Sequence, residues 1–403
     1  MKPLALTRRH ALAGATLAAG TALNTRAARA ADEDLVFSIH VDLTGPASYS
    51  GGKQAEGFKD YVEWINAKGG IRGRKVRMLL SDTTFKVDVA VAGFKKVLAE
   101  TKPIFLSGDS TAMIQAITPE NNATHKILMT SGSLATEFDD TAKFPYHFLA
   151  GSPYGTQMEL LLIHIKATHK GSAPPSVAIV HSSIPLGRDG IEKAREVAGR
   201  LGIDLKLVQQ TKFIEADVGP FALALRQARP DYCIFHGYAF SVWPEVVRLV
   251  RDYGLKTQFL GTIWTMEREQ IMQLTDVTDG YMGVSPYVFS SADTSKPMLA
   301  AIDQMQRKRN PKFDGYPPIG YVQSWTNAMM ATKAIELTVD AGKPLTGDNL
   351  ADALRGLKNW DTGGIFGVPV SVTGQKIGVG RIYRWNAKAA WTPEPVSDWL
   401  VSA

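Results

Sequence analysis

The residues with the clearest chemical potential lie in one short segment, Ser107 to Thr111, which reads Ser-Gly-Asp-Ser-Thr after an apolar run. A helix is predicted to open at Thr111, so Ser110 would place its hydroxyl beside backbone N–H groups that lack intrahelical partners. Helix N-termini favour negative charge. This arrangement is a ready site for a carboxylate, and the alternative for Ser110 is an N-cap with no further role.

The same segment also resembles the Gly-Asp-Ser motif of a hydrolase family, which would make Ser110 a nucleophile. Such an enzyme needs a catalytic histidine late in the chain, but the last histidine is His236 and no Asp-x-x-His pattern follows. There is no G-x-S-x-G motif either. The hydrolase stays an alternative, and the chain is predicted not to be an enzyme.

Metal and cofactor motifs are missing from the sequence. His164 and His169 are five residues apart with no glutamate between them, which does not match a zinc-binding helix. Neither a P-loop nor a dinucleotide-binding glycine motif occurs. No metal and no cofactor are predicted, and any ATPase would lie on another chain.

Strand-like and helix-like segments alternate along most of the chain, which predicts βαβ units with parallel sheets. Strands are predicted at 35–41, 76–80, 103–106, 127–129, 176–180, 205–209, 232–235 and 258–260, with two short ones near 365–372 and 380–385. Helices are predicted at 54–68, 87–100, 187–201, 221–228 and 243–253. Two such sets predict an α/β fold of two doubly wound parallel-sheet lobes. Ligands of such sheets bind beyond the carboxyl ends of the strands, which selects the loops 42–51, 107–112, 130–136, 181–187, 236–241 and 261–266.

The N-terminus has the features of an export signal. Arg8 and Arg9 precede an uncharged run, and Ala28 to Ala30 form a small-x-small site where a peptidase would cut between Ala30 and Ala31. Residues 1–30 are predicted to be a twin-arginine signal, which places the mature protein in the periplasm. They carry five of the basic residues and no acids, so their removal lowers the formal charge from +6 to +1. This balance does not favour nucleic acid as a partner.

Three motifs carry a family resemblance: Thr44 to Gly51, Ile65 to Val76 and Gly254 to Gly261. In this order, behind an export signal, they resemble the periplasmic leucine/isoleucine/valine-binding family of ABC importers. The resemblance implies a type I periplasmic-binding fold whose two lobes are joined by a three-strand hinge. It implies one lobe from 32–152 and 286–358 and another from 153–285 and 359–403. It also implies a ligand in the cleft, and membrane permease and ATPase subunits as partners.

The family resemblance also implies the binding residues. It assigns Ser110 and Ser133 to the ligand's carboxylate end, and Tyr49, Tyr238 and Tyr316 to aromatic contacts around the ligand.

One departure from the family affects the expected ligand. Members that bind α-amino acids carry a glutamate in the loop after the strand at 258–260, where this chain has Ile263 and Trp264. A buried ammonium without a charged partner costs several kcal/mol, unless Asp109 or Glu267 replaces that glutamate. The expected ligand is a small carboxylate, aromatic or apolar, without an α-amino group, and Ile263 and Trp264 are expected to contact it. Branched-chain amino acid binding and a soluble ligand sensor are the alternatives.

Overall fold

The computed structural model describes residues 34–214, 217–238, 243–272, 278–290 and 293–401. The export signal predicted at residues 1–30 lies outside them. The strands are β1 (Leu35–Val41), β2 (Val76–Asp82), β3 (Phe105–Gly108), β4 (Leu128–Ser131), β5 (Ser176–Ser182), β6 (Asp204–Thr211), β7 (Tyr232–His236), β8 (Gln258–Gly261), β9 (Met282–Ser285), β10 (Val379–Asn386), β11 (Thr392–Pro395) and β12 (Leu400–Val401). The helices are α1 (Ser48–Ala67), α2 (Val87–Glu100), α3 (Thr111–Glu120), α4 (Tyr154–Thr168), α5 (Pro185–Arg188), α6 (Ile191–Leu201), α7 (Gly219–Ala228), α8 (Trp243–Asp252), α9 (Arg268–Met272), α10 (Pro297–Arg309), α11 (Ile319–Asp340) and α12 (Gly347–Arg355). The predicted α/β class is confirmed.

The first sheet has four parallel strands in the order β2-β1-β3-β4. Its central strand β1 is buried along its whole length, as expected for a parallel strand covered by helices on both faces. Helix α1 follows β1 directly, and the long helix α11 packs along α1. The segments that follow the carboxyl ends of β1, β3 and β4 therefore contain Tyr49 in the first turn of α1, Ser110 and Ser133.

The second sheet has eight strands, with β11-β10-β9-β8-β7-β5-β6 in order and β12 paired to β10. Strands β5 to β9 are parallel, whereas β10 runs antiparallel to β9 and to β11. The sheet is therefore parallel at its centre and antiparallel at one edge, a common arrangement in doubly wound folds. Among the described residues, none of the helices has the length and apolarity that a membrane span needs.

The chain passes between the two sheets three times. It leaves the first sheet after β4, returns to it with α10 to α12, and enters the second sheet again at β10. The described crossing segments are 132–153, 286–290 with 293–296, and 356–378. These crossings support the discontinuous lobes proposed from the sequence, whose boundaries (32–152 with 286–358, and 153–285 with 359–403) stay predictions.

Two predicted elements are wrong in detail. The helix predicted over 187–201 is two helices, α5 and α6, because Gly190 adopts a positive φ of 74° between them. The strand predicted near 365–372 does not form. Gly363, Gly364 and Gly367 all have positive φ there, and the segment contributes a single bridge between Trp360 and Val370.

Candidate ligand-binding cleft

A cavity of about 240 Å³ lies between loops of the two sheets. From the first sheet it is lined by the loop after β2 and by the start of α3. From the second sheet it is lined by the loops after β5, β6 and β7. Most of its wall is apolar: Phe85, Val87, Ser110, Thr111, Ala112, Ile184, Pro185, Leu186, Phe213 and Tyr238. This composition is typical of a pocket for a small apolar molecule with one polar end.

The polar end of the cavity is the first turn of α3. Ser110 is the N-cap, and its Oγ accepts a hydrogen bond from the Met113 backbone N–H at 3.3 Å. That bond uses Oγ as an acceptor, while the Ser110 hydroxyl also hydrogen-bonds the neighbouring Asp109 carboxylate, so a ligand carboxylate would compete with Asp109 for this donor. The backbone N–H groups of Thr111 and Ala112 lie in the first turn, where no carbonyl of the same helix can accept them. Three donors and a helix N-terminus therefore meet at one end of an apolar cavity, which suits a carboxylate.

Aromatic rings from both sides form the opposite wall. Phe85 follows β2 and Phe213 follows β6, and their rings stack across the cleft with centroids 5.3 Å apart. Tyr238 packs edge-on against Phe213 at 5.7 Å. These rings provide a large apolar contact area with little rotational freedom, so the cavity favours an aromatic or branched tail.

Asp109 adds a buried charge beside Ser110. It is 5% exposed, and its Oδ2 accepts a hydrogen bond from the Thr83 hydroxyl. Its Oδ1 is buried with no hydrogen-bond partner among the described residues. Burial raises the pKa of Asp109 to about 6, and the nearby carboxylate of Asp42 adds to the rise. Because the folded state holds this proton more tightly than the unfolded chain, Asp109 destabilises the fold progressively as pH rises from about 4 through 6.

Ser133, Ile263 and Trp264 lie behind the cavity wall. The hydroxyl of Ser133 is 2.6 Å from that of Thr111 and also accepts the Ala135 backbone N–H. The backbone N–H of Ile263 donates to the side chain of Gln157, and the Trp264 indole donates to the Tyr154 hydroxyl at 2.9 Å.

Trp264 supports a cavity residue directly, because its ring packs against Tyr238 at 5.4 Å. Ser133 and Trp264 thus contact the lining residues Thr111 and Tyr238, whereas Ile263 bonds to Gln157, which does not line the cavity. Their direct contact with ligand stays a prediction.

Tyr49 and Tyr316 belong to a second cleft region. Tyr316 lines a separate polar cavity of about 310 Å³, where the Arg268 guanidinium lies 4.5 Å from its ring centre. The Tyr49 hydroxyl donates to Glu269 at 2.8 Å and so links the two sides of the cleft. These tyrosines do not line the cavity that Ser110 and Tyr238 share.

Glu267 also lies in this second region, and its carboxylate accepts the Ile319 backbone N–H at the N-terminus of α11. Burial raises the pKa of Glu267 to about 7, against the lowering effect of that hydrogen bond. Its carboxylate therefore binds the N-terminus of α11 and does not replace the glutamate that this chain lacks at Ile263 and Trp264.

Sequence reasoning missed Phe85, Phe213 and the role of Asp109. The two phenylalanines lie in the loops after β2 and β6, which were not among the loops selected. The same rule, that ligands bind beyond the carboxyl ends of parallel strands, applies to those two loops and points to both rings.

The cavity gives no support to the hydrolase alternative. None of the described residues that line it is a histidine, and the Ser110 hydroxyl caps a helix. Across the described part of the chain, no three histidine, cysteine or acidic side chains come together in a way that could hold a metal ion.

The sequence profile of the periplasmic binding protein family matches residues 39–390. The chain belongs to this family. The match covers most of both sheets and all the loops of the cleft, and it confirms the resemblance drawn from the three motifs.

Individual relatives are distant but nearly full-length. The Leu/Ile/Val-binding protein of Escherichia coli K12 is 22% identical over 89% of this chain and 93% of its own. A branched-chain amino acid ABC transporter structure from Thermus thermophilus with bound valine has a TM-score of 0.82 at 22% identity, covering 92% of this chain and 97% of its own. A solute-binding protein of an ABC transporter from Rhodopseudomonas palustris BisB5, in complex with 3,4-dihydroxybenzoic acid, has a TM-score of 0.72 at 18% identity, covering 88% and 93%.

Proposed function

We propose that this protein is the extracytoplasmic solute-binding component of an ABC importer of the branched-chain amino acid type. It captures a small carboxylate with an apolar or aromatic tail and no α-amino group, and presents it to a membrane permease that works with an ATPase. The observation that carries the proposal is the cavity that joins the Ser110 helix N-terminus to an apolar wall.

The form of the cleft supports capture by closure. Phe85 comes from the side of the first sheet and Phe213 from the side of the second, and the Tyr49–Glu269 hydrogen bond links the same two sides. A ligand seated between them would touch both sides and favour the closed arrangement over an open one.

The preference for an acid without an α-amino group rests on the loop after β8. Ile263 and Trp264 occupy it, both are buried, and neither side chain carries a charge that could pair with an ammonium. The relatives include one structure with bound valine and one in complex with an aromatic acid, so the family's fold accommodates both kinds of ligand.

Thermal denaturation with a panel of acids tests the proposal, because a ligand that binds the folded state alone raises the melting temperature by mass action. The panel contains leucine, isoleucine and valine, their deaminated counterparts, and benzoate with its hydroxylated derivatives. We expect stabilisation by apolar or aromatic acids that lack the amino group. Strong stabilisation by leucine, with none by the deaminated and aromatic acids, would refute the ligand assignment and leave branched-chain amino acid binding.

Export is tested separately. We propose cleavage of a twin-arginine signal near Ala30 and Ala31, so that the mature chain resides in the periplasm. The mass of the protein recovered from the periplasm should correspond to a chain that starts at Ala31. Replacement of Arg8 and Arg9 by lysine should leave the uncut chain in the cytoplasm, and periplasmic protein of unchanged amount would contradict a twin-arginine route.

A further inference from the structure

We infer that Phe85 limits the length of the apolar tail that the ligand can carry, and that Asp82 is the residue that positions Phe85. The preferred class is then short-chain or single-ring acids, and long-chain acids are excluded. This inference rests on the proposed function, because it takes the cavity beside Ser110 as the ligand site.

The stack of Phe85 on Phe213 lies at the outer edge of the cleft. Phe85 follows β2 and Phe213 follows β6, which are terminal strands of the first and second sheets. Ser110 follows β3, two strands from β2, so the carboxylate end of the cavity lies roughly 10 Å from this edge. Val87, which also lines the cavity, is 40% exposed, and Ile214, next to Phe213, is 72% exposed. The two rings therefore separate the tail end of the cavity from solvent.

Phe85 lies in a backbone turn that its residue type disfavours. The Lys86 N–H donates to the Thr83 carbonyl at 2.9 Å, and the two residues between them, Thr84 and Phe85, have φ of 50° and 55°. Positive φ at both central positions is typical of a type I′ turn, where asparagine and glycine are favoured. A β-branched residue and an aromatic residue cost free energy there, and such strain clusters at functional sites. The place of the Phe85 ring in the cavity wall accounts for this strain.

Asp82 stabilises the strained turn. Its Oδ1 accepts the backbone N–H groups of Thr84 and Leu43, both at 2.9 Å, and its Oδ2 accepts the Thr44 hydroxyl at 2.6 Å. The loop after β1 also packs on the turn, since a Cβ added at Gly45 would overlap the carbonyl oxygen of Thr84. The N–H and the C=O of Thr84 are thus both fixed by neighbours, and with them the direction of the residue that follows.

Two series of acids of increasing length test the inference on the mature protein by isothermal titration calorimetry. The first is butanoate, hexanoate, octanoate and decanoate, and the second is benzoate, 3-phenylpropanoate and 5-phenylpentanoate. Each buried methylene should raise affinity about fourfold while the tail fits the cavity. In at least one series, affinity should rise to a maximum and then fall about tenfold, because a longer tail has to separate Phe85 from Phe213.

Phe85→Ala should change affinity in opposite directions at the two ends of that series. The shortest acids should bind more weakly, because they lose apolar contact with the ring. The longest acid should bind about tenfold more tightly, because its tail can extend through the edge of the cleft. A general loss of structure would weaken the binding of all the acids alike.

Asp82→Ala and Gly45→Ala test the positioning without altering the ring. Both should raise the affinity for the longest acid relative to that for the best-bound shorter one, in the same direction as Phe85→Ala. Asp82→Asn retains an oxygen for the two N–H groups and should retain the length limit. Gly52→Ala is the matched control for Gly45→Ala, because nothing lies within 4 Å of a Cβ added at Gly52, and it should keep the length profile of the unmodified protein.

The other outcomes are distinct. Affinity that rises steadily to the longest acid of both series in the unmodified protein overturns the inference, and so does a length profile that Phe85→Ala leaves unchanged. A profile that responds to Phe85→Ala but to neither Asp82→Ala nor Gly45→Ala overturns the role of Asp82. The proposed function stands in each of these cases. If Phe85→Ala does not fold, the profiles of the unmodified protein and of Gly45→Ala decide. Binding of none of the acids contradicts the proposed function itself and the inference with it.

Discussion

Replacing Ser110 with alanine separates its two possible roles, as a ligand group and as an N-cap. The Met113 N–H to Oγ distance of 3.3 Å is long for a cap, so the stability lost should be about 0.5–1 kcal/mol, at the low end for such residues. The lost hydrogen bond to the ligand carboxylate should cost about 1.5–3 kcal/mol. Affinity should therefore fall about ten- to a hundredfold.

The fold contains a matched control for this change. Thr346 caps α12 by accepting the Asn349 N–H at 3.4 Å, so its cap is as long as that of Ser110, and it is absent from the cavity lining. Thr346→Ala should lose a similar amount of stability with no change in affinity. Ser110→Thr retains a hydroxyl and should bind within a few-fold of the unmodified protein.

The assay pairs urea denaturation with calorimetric titration, using an acid that stabilises the unmodified protein. If Ser110→Ala loses the same stability as Thr346→Ala while its affinity stays within twofold, the serine is a cap and nothing more. The carboxylate would then have to bind elsewhere in the cleft, and the orientation of the ligand argued above would be wrong.

Three further changes test the rest of the cleft. Ala112→Leu should fill part of the 240 Å³ cavity and lower affinity more than tenfold with little change in melting temperature. Ala116→Leu, on the exposed face of α3, should leave affinity unchanged. Equal affinities of the two variants would contradict the cavity as the binding site. Tyr49→Phe removes the hydrogen bond to Glu269 and should lower affinity less than tenfold. The ligand-free protein should also become larger in small-angle scattering. An unchanged radius would show that this bond does not hold the two lobes together. Asp109→Asn removes a carboxyl group whose pKa is raised, so the stability of this variant relative to the unmodified protein should improve by about 2 kcal/mol between pH 4 and pH 7 in denaturant titrations. A difference that does not change with pH would contradict that pKa.

The pH experiment compares variant and unmodified protein because other groups titrate in the same range. Burial lowers the pKa of His40 to about 4, and that of His147 and His236 to about 3. Each of these histidines stabilises the fold less as pH falls below about 6.5, opposite in sign to Asp109. The difference between the two proteins cancels their contribution.

The elements with local signals were predicted well. Helix α2 spans Val87–Glu100 and β1 spans Leu35–Val41, both as the spacing of apolar residues indicated. The N-cap at Ser110 was also predicted, because the residue types that cap helices are few. In contrast, α1 begins at Ser48, six residues before its predicted start at Gln54.

That early start depends on a tertiary contact. The Cα of Gly51 lies so close to the end of β1 that an added Cβ would be 1.9 Å from the carbonyl oxygen of Asp42, the residue after the strand. A pair of glycines in the sequence predicts a loop, and here it permits a helix to approach a strand.

The residues that line the cavity could not be predicted from local sequence either. The stacking of Phe85 on Phe213 joins loops of different sheets, and no periodicity within either segment indicates that pairing.

Glu267 makes the opening of the cleft depend on pH. Glu267 follows a strand of the second sheet, yet its carboxyl group accepts the Ile319 backbone N–H in the first turn of α11. Any motion that parts residue 267 from residue 319 returns this group to water, where its pKa falls from about 7 toward its usual value near 4.5. Separation of the two then releases a proton at neutral pH and rejoining takes one up. A mildly acidic compartment would thus hold the cleft shut more firmly and slow the release of cargo.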